Sequence, residues 1–309
     1  MLLFKKVILA AGMAGFLFLF ACSKNEDRLK CWSDSAGQLK ILSTTTQIGD
    51  LAAEIGGKRA VGLVLIGKGL DPHSYELVKG DDEILARADI IFYNGLGLEH
   101  GASLQASLQG NSRAVAVAER IAQSAPQSII YRGVSLDPHL WMDVSLWKKG
   151  IAPMVEAFSK ADPEGADEYR KRGRELEKRL DTLHEKILAL MIAIPEEQRY
   201  LVTSHDAFQY FSRSYLAGSA APEGLAPDGQ LSPVDIRRII AFVKEHRIRV
   251  LFPESNVSRD SIAKIASAGK EMDLEIQICS EPLYGDTSGG LSYFEMMEKN
   301  GETLARNLK

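Results

Sequence analysis

Two copies of the tripeptide Asp-Pro-His occur in a chain of 309 residues that contains only six histidines. They are Asp71-Pro72-His73 and Asp137-Pro138-His139. Proline fixes its own φ near about −65° and biases the residue before it toward extended geometry, so each copy predicts a loop that holds an imidazole in a set direction. Because histidine is the commonest protein ligand for transition metals, the pair indicates a metal site.

Two further residues have the chemistry and the position to complete such a site. His205 is predicted to lie where a strand gives way to a helix, and Asp286 lies in the glycine-rich loop Gly285–Gly290. Loops of this kind form the ligand crevice of open α/β sheets. Three imidazoles and one carboxylate make a closed four-coordinate set, which suits one Zn²⁺ and accommodates Mn²⁺ or Fe²⁺ when the carboxylate binds through both oxygens.

The donor set favours holding a metal ion over using it in catalysis. A catalytic zinc site keeps one coordination position for water. The sequence has no His-Glu-x-x-His motif, and no glutamate directly follows a candidate ligand. Binding needs neutral imidazoles, so we expect the metal affinity to fall as the histidines become protonated below about pH 6.5.

Several neighbours of the candidate ligands are expected to support them. Trp141 and Asp143 are predicted to orient or enclose His139, with a place in the hydrophobic core as the alternative for Trp141. Asp206 is predicted to cap a helix and hold the ring of His205. Glu254 ends a predicted strand near the cleft, as an outer contact or a competing ligand. The remaining histidines are not assigned to the metal, and they are His100, His184 and His246.

Short strand-like runs alternate with helical patterns in both halves of the chain, which predicts α/β lobes with parallel sheets. The predicted strands are Leu39–Ser43, Val61–Ile66, Ile90–Tyr93, Arg113–Ala118, Tyr200–Thr203, Leu216–Ala220, Val250–Phe252 and Glu275–Cys279. Between the halves, apolar or small residues recur at steps of three and four from Ala166 to Leu190. This spacing predicts one long helix that links the lobes and packs as a strut.

The first residues are typical of an export signal. Lys5 and Lys6 precede an apolar run of about 14 residues, which is too short to span a membrane. The run ends in Leu19-Phe20-Ala21-Cys22, which resembles a bacterial lipobox. We therefore expect a signal peptide over 1–21, lipidation of Cys22 and a polar tether over 22–36, with ordinary cleavage or an uncleaved anchor as the alternatives. A chain that begins at Cys22 carries 35 basic and 41 acidic residues, a net charge of −6, which argues against binding to nucleic acid.

The remaining two cysteines, Cys31 and Cys279, are expected to stay unpaired rather than form a disulfide. Cys31 lies in a polar segment and Cys279 in an apolar run, which predicts a buried thiol at 279. The sequence contains no Cys-x-x-Cys pair, so a thiolate zinc site is excluded.

The chain resembles the metal receptors of bacterial ABC importers, the zinc/manganese solute-binding proteins. The matching segments occur in order over nearly the whole mature chain and read GLDPH at 69–73, YNGLGLE at 93–99, DPHLWMD at 137–143, HDAFQYF at 205–211, FPES at 252–255 and GD at 285–286. The resemblance implies a metal buried between two α/β lobes joined by a single helix. Carried over by position, the ligands are His73, His139, His205 and Asp286.

The resemblance also implies a domain organisation and a partner. The lobes are expected over 37–161 and 195–309, with the linking helix over 162–194. A monomeric receptor, in the periplasm or at the cell surface, would deliver its ion to a membrane permease with a cytoplasmic ATPase. Histidine at 205 resembles the zinc type more than the manganese type. Two alternatives remain: an exported zinc hydrolase with Glu254 or Asp206 as general base, and a surface adhesin with the same fold.

Overall fold

The N-terminal half contains a four-stranded parallel sheet with the order β2-β1-β3-β4. The computed structural model describes residues 25–227 and 231–308. The elements of this half are α1 (Asn25–Asp34), β1 (Leu39–Ser43), α2 (Thr46–Gly56), β2 (Ala60–Val64), α3 (Asp81–Arg87), β3 (Ile90–Tyr93), α4 (Ala102–Leu108), β4 (Ala114–Ala116), α5 (Val117–Ser124), β5 (Tyr131–Arg132), β6 (Ser135–Leu136), α6 (Val144–Trp147) and α7 (Ile151–Ala161).

The C-terminal half repeats the alternation of strand and helix with shorter strands. Strand β7 pairs in parallel with β8, and β9 with β10. The N–H of Phe252 donates to the carbonyl of Val202 at 2.9 Å and links the two pairs. The elements are α8 (Ala166–Ile192), β7 (Tyr200–Val202), α9 (Gln209–Tyr215), β8 (Gly218–Ala220), α10 (Pro233–Glu245), β9 (Val250–Leu251), α11 (Asp260–Lys270), β10 (Gln277–Ile278) and α12 (Tyr293–Asn307).

The long helix α8 has 27 residues and extends for about 40 Å at 1.5 Å per residue. Asp162 caps the short turn Pro163–Gly165 that leads into the helix, because its carboxylate accepts a hydrogen bond from the N–H of Gly165. One stripe of the helix is buried, at Tyr169, Gly173, Leu176, Leu180, Leu183, Ile187 and Met191. This stripe packs against α2, α6 and α7 of the first half and against α9 and α12 of the second. The predicted α/β fold with a long linking helix is therefore confirmed.

The tether predicted over 22–36 is wrong for residues 25–34, which form α1. The side chain of Trp32 is buried, and its Nε1–H donates to the carbonyl of Ile41 in β1 at 3.2 Å. The helix was missed because its apolar residues are too few to show a helical period. The predicted signal peptide and Cys22 lie outside the described residues.

A second difference is the antiparallel hairpin formed by β5 and β6, which the sequence analysis did not predict. Its strands have two residues each, too few for an alternating pattern to be visible. The hairpin leads directly into Asp137 and so positions the second Asp-Pro-His segment. In β10, by contrast, the sequence predicted a strand that is longer than the one formed. Cys279, just after β10, is a buried free thiol.

Candidate metal centre

The four candidate ligands lie on loops that follow strands. These loops come after β2, β6, β7 and β10, and they carry, in that order, His73, His139, His205 and Asp286. Strands β2, β7 and β10 belong to parallel pairs, and the carboxyl ends of parallel strands deliver their loops to the crevice between the halves. The loop of His139 is instead delivered by the antiparallel hairpin of β5 and β6. The fold thus brings together residues that are more than two hundred positions apart in the chain.

The two Asp-Pro-His segments have the same local structure. A carboxylate oxygen of Asp71 accepts a hydrogen bond from the N–H of His73 at 2.9 Å. Asp137 makes the equivalent contact with the N–H of His139 at 3.0 Å. A carboxylate that bonds the backbone two residues later closes an Asx turn. The aspartate in each motif therefore fixes the backbone from which the imidazole projects.

The four side chains are buried, and a ligand atom from each lies within 4.8 Å of the others. The Nε2 atoms of His73 and His139 are 3.3 Å apart. Asp286 Oδ1 is 3.3 Å from His139 Nε2, and Asp286 Oδ2 is 3.1 Å from His205 Nε2 and 3.7 Å from His73 Nε2. Donors that share a tetrahedral Zn²⁺ at about 2.1 Å lie about 3.4 Å apart. The cluster thus has the spacing that one ion requires.

The carboxylate of Asp286 lacks regular hydrogen bonds. Both of its oxygens are buried, and among the described residues neither accepts a hydrogen bond of normal geometry. A buried carboxylate without partners is costly unless it is paired or binds a metal. The donor set and this unsatisfied charge together fit a bound cation.

Two of the imidazoles each have a carboxylate next to Nδ1, the ring nitrogen that does not face the cluster. Asp137 Oδ1 is 2.7 Å from His139 Nδ1, and Glu254 Oε2 is 2.7 Å from His205 Nδ1. Glu254 also accepts from the backbone N–H of His205 at 2.8 Å. The contact at His139 is a hydrogen bond, so in the neutral form of this ring the proton lies on Nδ1 and the lone pair of Nε2 faces the cluster. At His205 the carboxylate of Glu254 lies at ion-pair distance from Nδ1.

The carboxylates control the charge of the cluster. Burial alone would lower the pKa of His139, but Asp137 and Asp286 outweigh it and raise that pKa to about 9. Burial would also lower the pKa of His205. The carboxylates of Glu254 and Asp286 outweigh this effect and raise the pKa well above its ordinary value. For Asp286, burial would raise the pKa, but the histidines hold it well below its usual range. The cluster therefore favours a positive charge, carried by protons or by a metal.

Side chains from the first half hold the backbone of the loop that carries Asp286. Gln47 Nε2 donates to the carbonyl oxygens of Gly285 at 3.3 Å and of Asp286 at 2.9 Å. Trp141 Nε1 donates to the carbonyl of Gly285 at 3.0 Å. The role of Gln47 could not be predicted from the sequence, because nothing in a helix start predicts a contact more than two hundred residues away.

Some of the residues predicted to support the ligands contact a ligand ring, and others make contacts elsewhere. Trp141 lies edge-on to the ring of His139 at 5.2 Å, and Glu254 holds His205. The carboxylate of Asp143 instead caps α6 and contacts Arg213 and Ser214.

The predicted role of Asp206 is also wrong. Its carboxylate pairs with Arg132 at 2.6 Å and accepts from Gln209, rather than holding the ring of His205. Asp137 contacts the ring of His139, a role that was not predicted. The sequence indicated only that Asp137 shapes the loop before the histidine. The repeated Asp-Pro-His was the available signal, because an Asx turn brings the carboxylate next to the histidine.

The other three histidines lie outside the cluster. His184 Nδ1 is 2.8 Å from the hydroxyl of Tyr215, and His246 stacks on Tyr200 with ring centroids 3.7 Å apart. His100 is exposed, but its ring centroid is 5.7 Å from that of His73.

These features define a metal-binding protein with a buried site between two α/β halves, and comparison with known proteins gives its family. The sequence model of the family described as "Zinc-uptake complex component A periplasmic" matches residues 41–307. The chain belongs to this family of metal ABC transporter substrate-binding proteins. It is a binding protein rather than an enzyme, and this membership confirms the predicted resemblance.

Relatives within this family carry names that refer to different metals. The chain is 34% identical over 294 residues to the manganese-binding lipoprotein MntA of Bacillus subtilis, covering 90% of this chain and 94% of that protein. The structure of Fe(III)-bound YtgA from Chlamydia trachomatis matches with a TM-score of 0.83 and 33% identity, covering 87% of this chain and 97% of that one.

A third relative carries the name of a further metal. The periplasmic zinc-binding protein TroA of Treponema pallidum matches with a TM-score of 0.81 and 30% identity, covering 88% of this chain and 99% of that one. The three names refer to manganese, iron and zinc, so the family alone does not define the metal of this chain.

Among the described residues, no helix is both long and apolar enough to cross a membrane.

Proposed function

We propose that the chain is an extracytoplasmic receptor that binds one divalent transition-metal ion through His73, His139, His205 and Asp286 and delivers it to an ABC import permease. The observation that carries this proposal is the convergence of four buried donors within 4.8 Å. A buried cluster of three imidazoles and one carboxylate is costly to desolvate, and a bound cation offsets this cost. Membership of a transporter-receptor family supports the delivery step.

Zn²⁺ is the ion that the donor set suits best. Three imidazole nitrogens and one carboxylate oxygen complete a tetrahedral shell of the type that zinc prefers. Both oxygens of Asp286 face the rings, at 3.3 Å from His139 and 3.1 Å from His205. If both bind, the coordination number rises to five, which accommodates Mn²⁺ or Fe²⁺. Preference among these ions therefore depends on whether Asp286 binds through one oxygen, as suits Zn²⁺, or through both.

The hydrolase alternative has less support, because its general bases are engaged elsewhere. Glu254 contacts His205 through both carboxylate oxygens, at 2.7 Å to Nδ1 and 2.8 Å to the backbone nitrogen. Asp206 is paired with Arg132. A carboxylate held in this way orients a ligand rather than activates water.

The N-terminal features complete the proposal. A signal peptide over 1–21 would export the chain, and lipid on Cys22 would anchor it to the outer face of a membrane. The receptor would then act as a monomer close to its permease. Mass spectrometry of the purified N-terminus tests the anchor: a diacylglyceryl adduct on Cys22 is expected, and an unmodified N-terminus would contradict it.

Isothermal titration of metal-free protein with Zn²⁺, Mn²⁺ and Fe²⁺ tests the binding proposal. We expect one site per chain, with Zn²⁺ bound most tightly. His139→Ala and His205→Ala should each lose most of the affinity, and His246→Ala, whose ring stacks on Tyr200, should bind as the wild type does. If both cluster variants bind as tightly as the wild type, the assignment of the site is wrong.

A further inference from the structure

A fourth histidine, His100, lies beside the cluster but outside it. Its ring centroid is 5.7 Å from that of His73. The rings of the three candidate ligands are separated by 5.3, 5.5 and 6.2 Å, so His100 lies as close to His73 as the ligands lie to one another. His73 is buried, whereas His100 is exposed. His100 is therefore the neighbour of His73 on the solvent side.

The ring of His100 presents a nitrogen that can bind a metal. Its Nδ1 is 3.2 Å from the carbonyl oxygen of Gly97. A carbonyl oxygen can only accept a hydrogen bond, so in the neutral ring the proton lies on Nδ1. The lone pair of Nε2 then remains available, which is the form in which an imidazole binds a transition metal.

The turn that carries His100 is held in place by the buried carboxylate of Glu99. This carboxylate accepts hydrogen bonds from the hydroxyl of Thr44 at 2.7 Å and from the N–H groups of Asn94 at 2.8 Å and Gly95 at 3.0 Å. Gly95 has a φ of 77°, which glycine adopts readily. The backbone next to His100 is therefore held in place by these hydrogen bonds.

The same support is joined to the loop of His73. Gly101 lies so close to the backbone of Tyr75 that a Cβ there would collide with the carbonyl oxygen. Glu76 accepts from the N–H groups of Ala102 at 2.6 Å and Ser103 at 2.8 Å, at the start of α4. The two histidines therefore belong to one packed unit, and their separation is determined by these contacts.

His73 also differs from the other two candidate histidines. Carboxylates hold the Nδ1 atoms of His139 and His205. Within the described parts of the chain, the His73 ring has no such carboxylate contact at Nδ1. A ring that lacks this restraint is the one most able to tilt, so it is the ligand from which an ion can be exchanged first.

We propose that His100 is an auxiliary metal ligand at the mouth of the centre, and that its Nε2 holds a divalent transition-metal ion as the ion passes between solvent and His73. This inference rests on the proposed function. The auxiliary ligand binds in transit and adds nothing to the final coordination shell. It therefore changes how fast the ion enters and leaves, and it leaves the equilibrium affinity unchanged.

Stopped-flow kinetics with Zn²⁺ test the proposal, with tryptophan fluorescence as the signal, since Trp141 lies 5.2 Å from His139. His100→Ala should slow both zinc uptake and zinc removal by EDTA about tenfold, which corresponds to an increase of about 1.4 kcal/mol in each barrier. The dissociation constant should stay at the wild-type value. His100→Gln, which keeps a polar side chain, should behave in the same way, and His246→Ala should match the wild type.

The possible results separate this inference from the proposed function. If the wild type binds no zinc, the proposed function fails and the transit role fails with it. If the wild type binds zinc but both His100 variants exchange it at the wild-type rates, only the transit role is overturned. If His100→Ala weakens equilibrium binding as much as His139→Ala does, His100 is a full ligand and the transit role is also wrong.

Discussion

The chemistry of the cluster depends on carboxylates that do not themselves face the ion. Asp137 and Glu254 lie behind His139 and His205, at 2.7 Å from the Nδ1 atoms. They fix the tautomer and increase the basicity of the ligand nitrogen, and partners of this kind typically change metal affinity by about 10- to 100-fold. These two residues therefore adjust the affinity that the four donors provide.

Glu254→Gln tests this view without changing the shape of the side chain. The amide removes the negative charge next to the Nδ1 of His205, so we expect the zinc affinity to fall about 10- to 100-fold in a chelator competition titration. Asp206→Asn is the matched control, because Asp206 directly follows His205 but pairs with Arg132. Equal losses in the two variants would show that general electrostatics, and not orientation of the ring, is responsible.

The pH dependence of metal binding follows from the raised pKa of His139, which is about 9 in the metal-free protein. At neutral pH this ring is protonated, so the metal must displace a proton. The affinity should therefore rise by about tenfold per pH unit for each proton released, up to about pH 9. This corrects the expectation from an ordinary histidine, whose affinity would level off above about pH 6.5.

Titration calorimetry in buffers with different ionisation enthalpies measures the protons directly. The observed enthalpy of zinc binding at neutral pH should vary linearly with the ionisation enthalpy of the buffer, with a slope of at least about one proton. A zinc enthalpy that is the same in every buffer, together with a constant affinity between neutral and alkaline pH, would contradict the prediction.

For individual residues, the sequence predicted the ligands from their local motifs better than it predicted the contacts between residues that are distant in the chain. The four candidate ligands could be chosen because Asp-Pro-His repeats and because His205 and Asp286 lie at strand ends. Asp206 and Asp143 were chosen because they are sequence neighbours, and their carboxylates instead form ion pairs with distant arginines. Contacts such as that of Gln47 with Asp286 depend on how the halves pack, which no local pattern encodes.

The elements of the fold were mostly predictable in kind and less so in extent. The buried stripe of α8 was visible because its period persists for 27 residues, whereas β9 and β10 have two residues each. A short strand is stabilised by its neighbours in the sheet rather than by its own pattern. For this reason the sequence located all the strands except β5 and β6, gave β1 and β3 their observed bounds, shifted β2, and extended the others by one to three residues.

One contact between helices places a carboxylate where burial disfavours its charge. Asp50 in α2 accepts from the N–H of Tyr293 at the start of α12 at 2.6 Å. Burial raises the pKa of Asp50 to about 6, against the hydrogen bond from Tyr293, which lowers it. Because the folded pKa exceeds the unfolded value of 3.8, this group contributes stability below about pH 4 and loses it as pH rises through 6.

Asp50→Asn should therefore stabilise the protein at alkaline pH and have no such effect in acid. The amide oxygen can still accept from Tyr293, but it carries no charge to be buried. We expect the free energy of unfolding to increase by about 2 kcal/mol near pH 8 and to match the wild type near pH 4, measured by urea denaturation. Glu175→Gln, at an exposed position of α8, is the control. A pH-independent difference would refute the assignment.

The long helix connects the cores of the two halves. Its buried stripe belongs to a hydrophobic cluster that includes Phe92 from the first half and Phe211 from the second. Leu180→Ala removes a fully buried side chain from this stripe and should lower the free energy of unfolding by about 2–5 kcal/mol. The variant should still unfold in a single transition by calorimetry, because both halves lose the same support. Lys178→Ala, on the exposed face, should have no effect.

For the molecule as a whole, the contacts between the halves limit how far they can separate. Apart from α8, the hydroxyl of Tyr210 donates to the carbonyl of Asp137, and the hydroxyl of Tyr293 donates to the carbonyl of Trp141. Both hydrogen bonds are buried and link the C-terminal half to the segment that carries His139. A wide hinge opening would break them and expose the shared core, which makes a small local rearrangement the less costly route to the metal.

Solution scattering and hydrogen exchange together test this restraint. The radius of gyration, expected at about 19 Å for a compact chain of this length, should differ by less than about 1 Å between metal-free and zinc-loaded protein. Amide exchange should instead change at the loop 285–290, which Gln47 and Trp141 hold to the first half. Gln47→Ala should speed exchange in this loop even with zinc bound. A contraction of several ångströms on zinc binding, with unchanged exchange at 285–290, would instead indicate closure of a hinge.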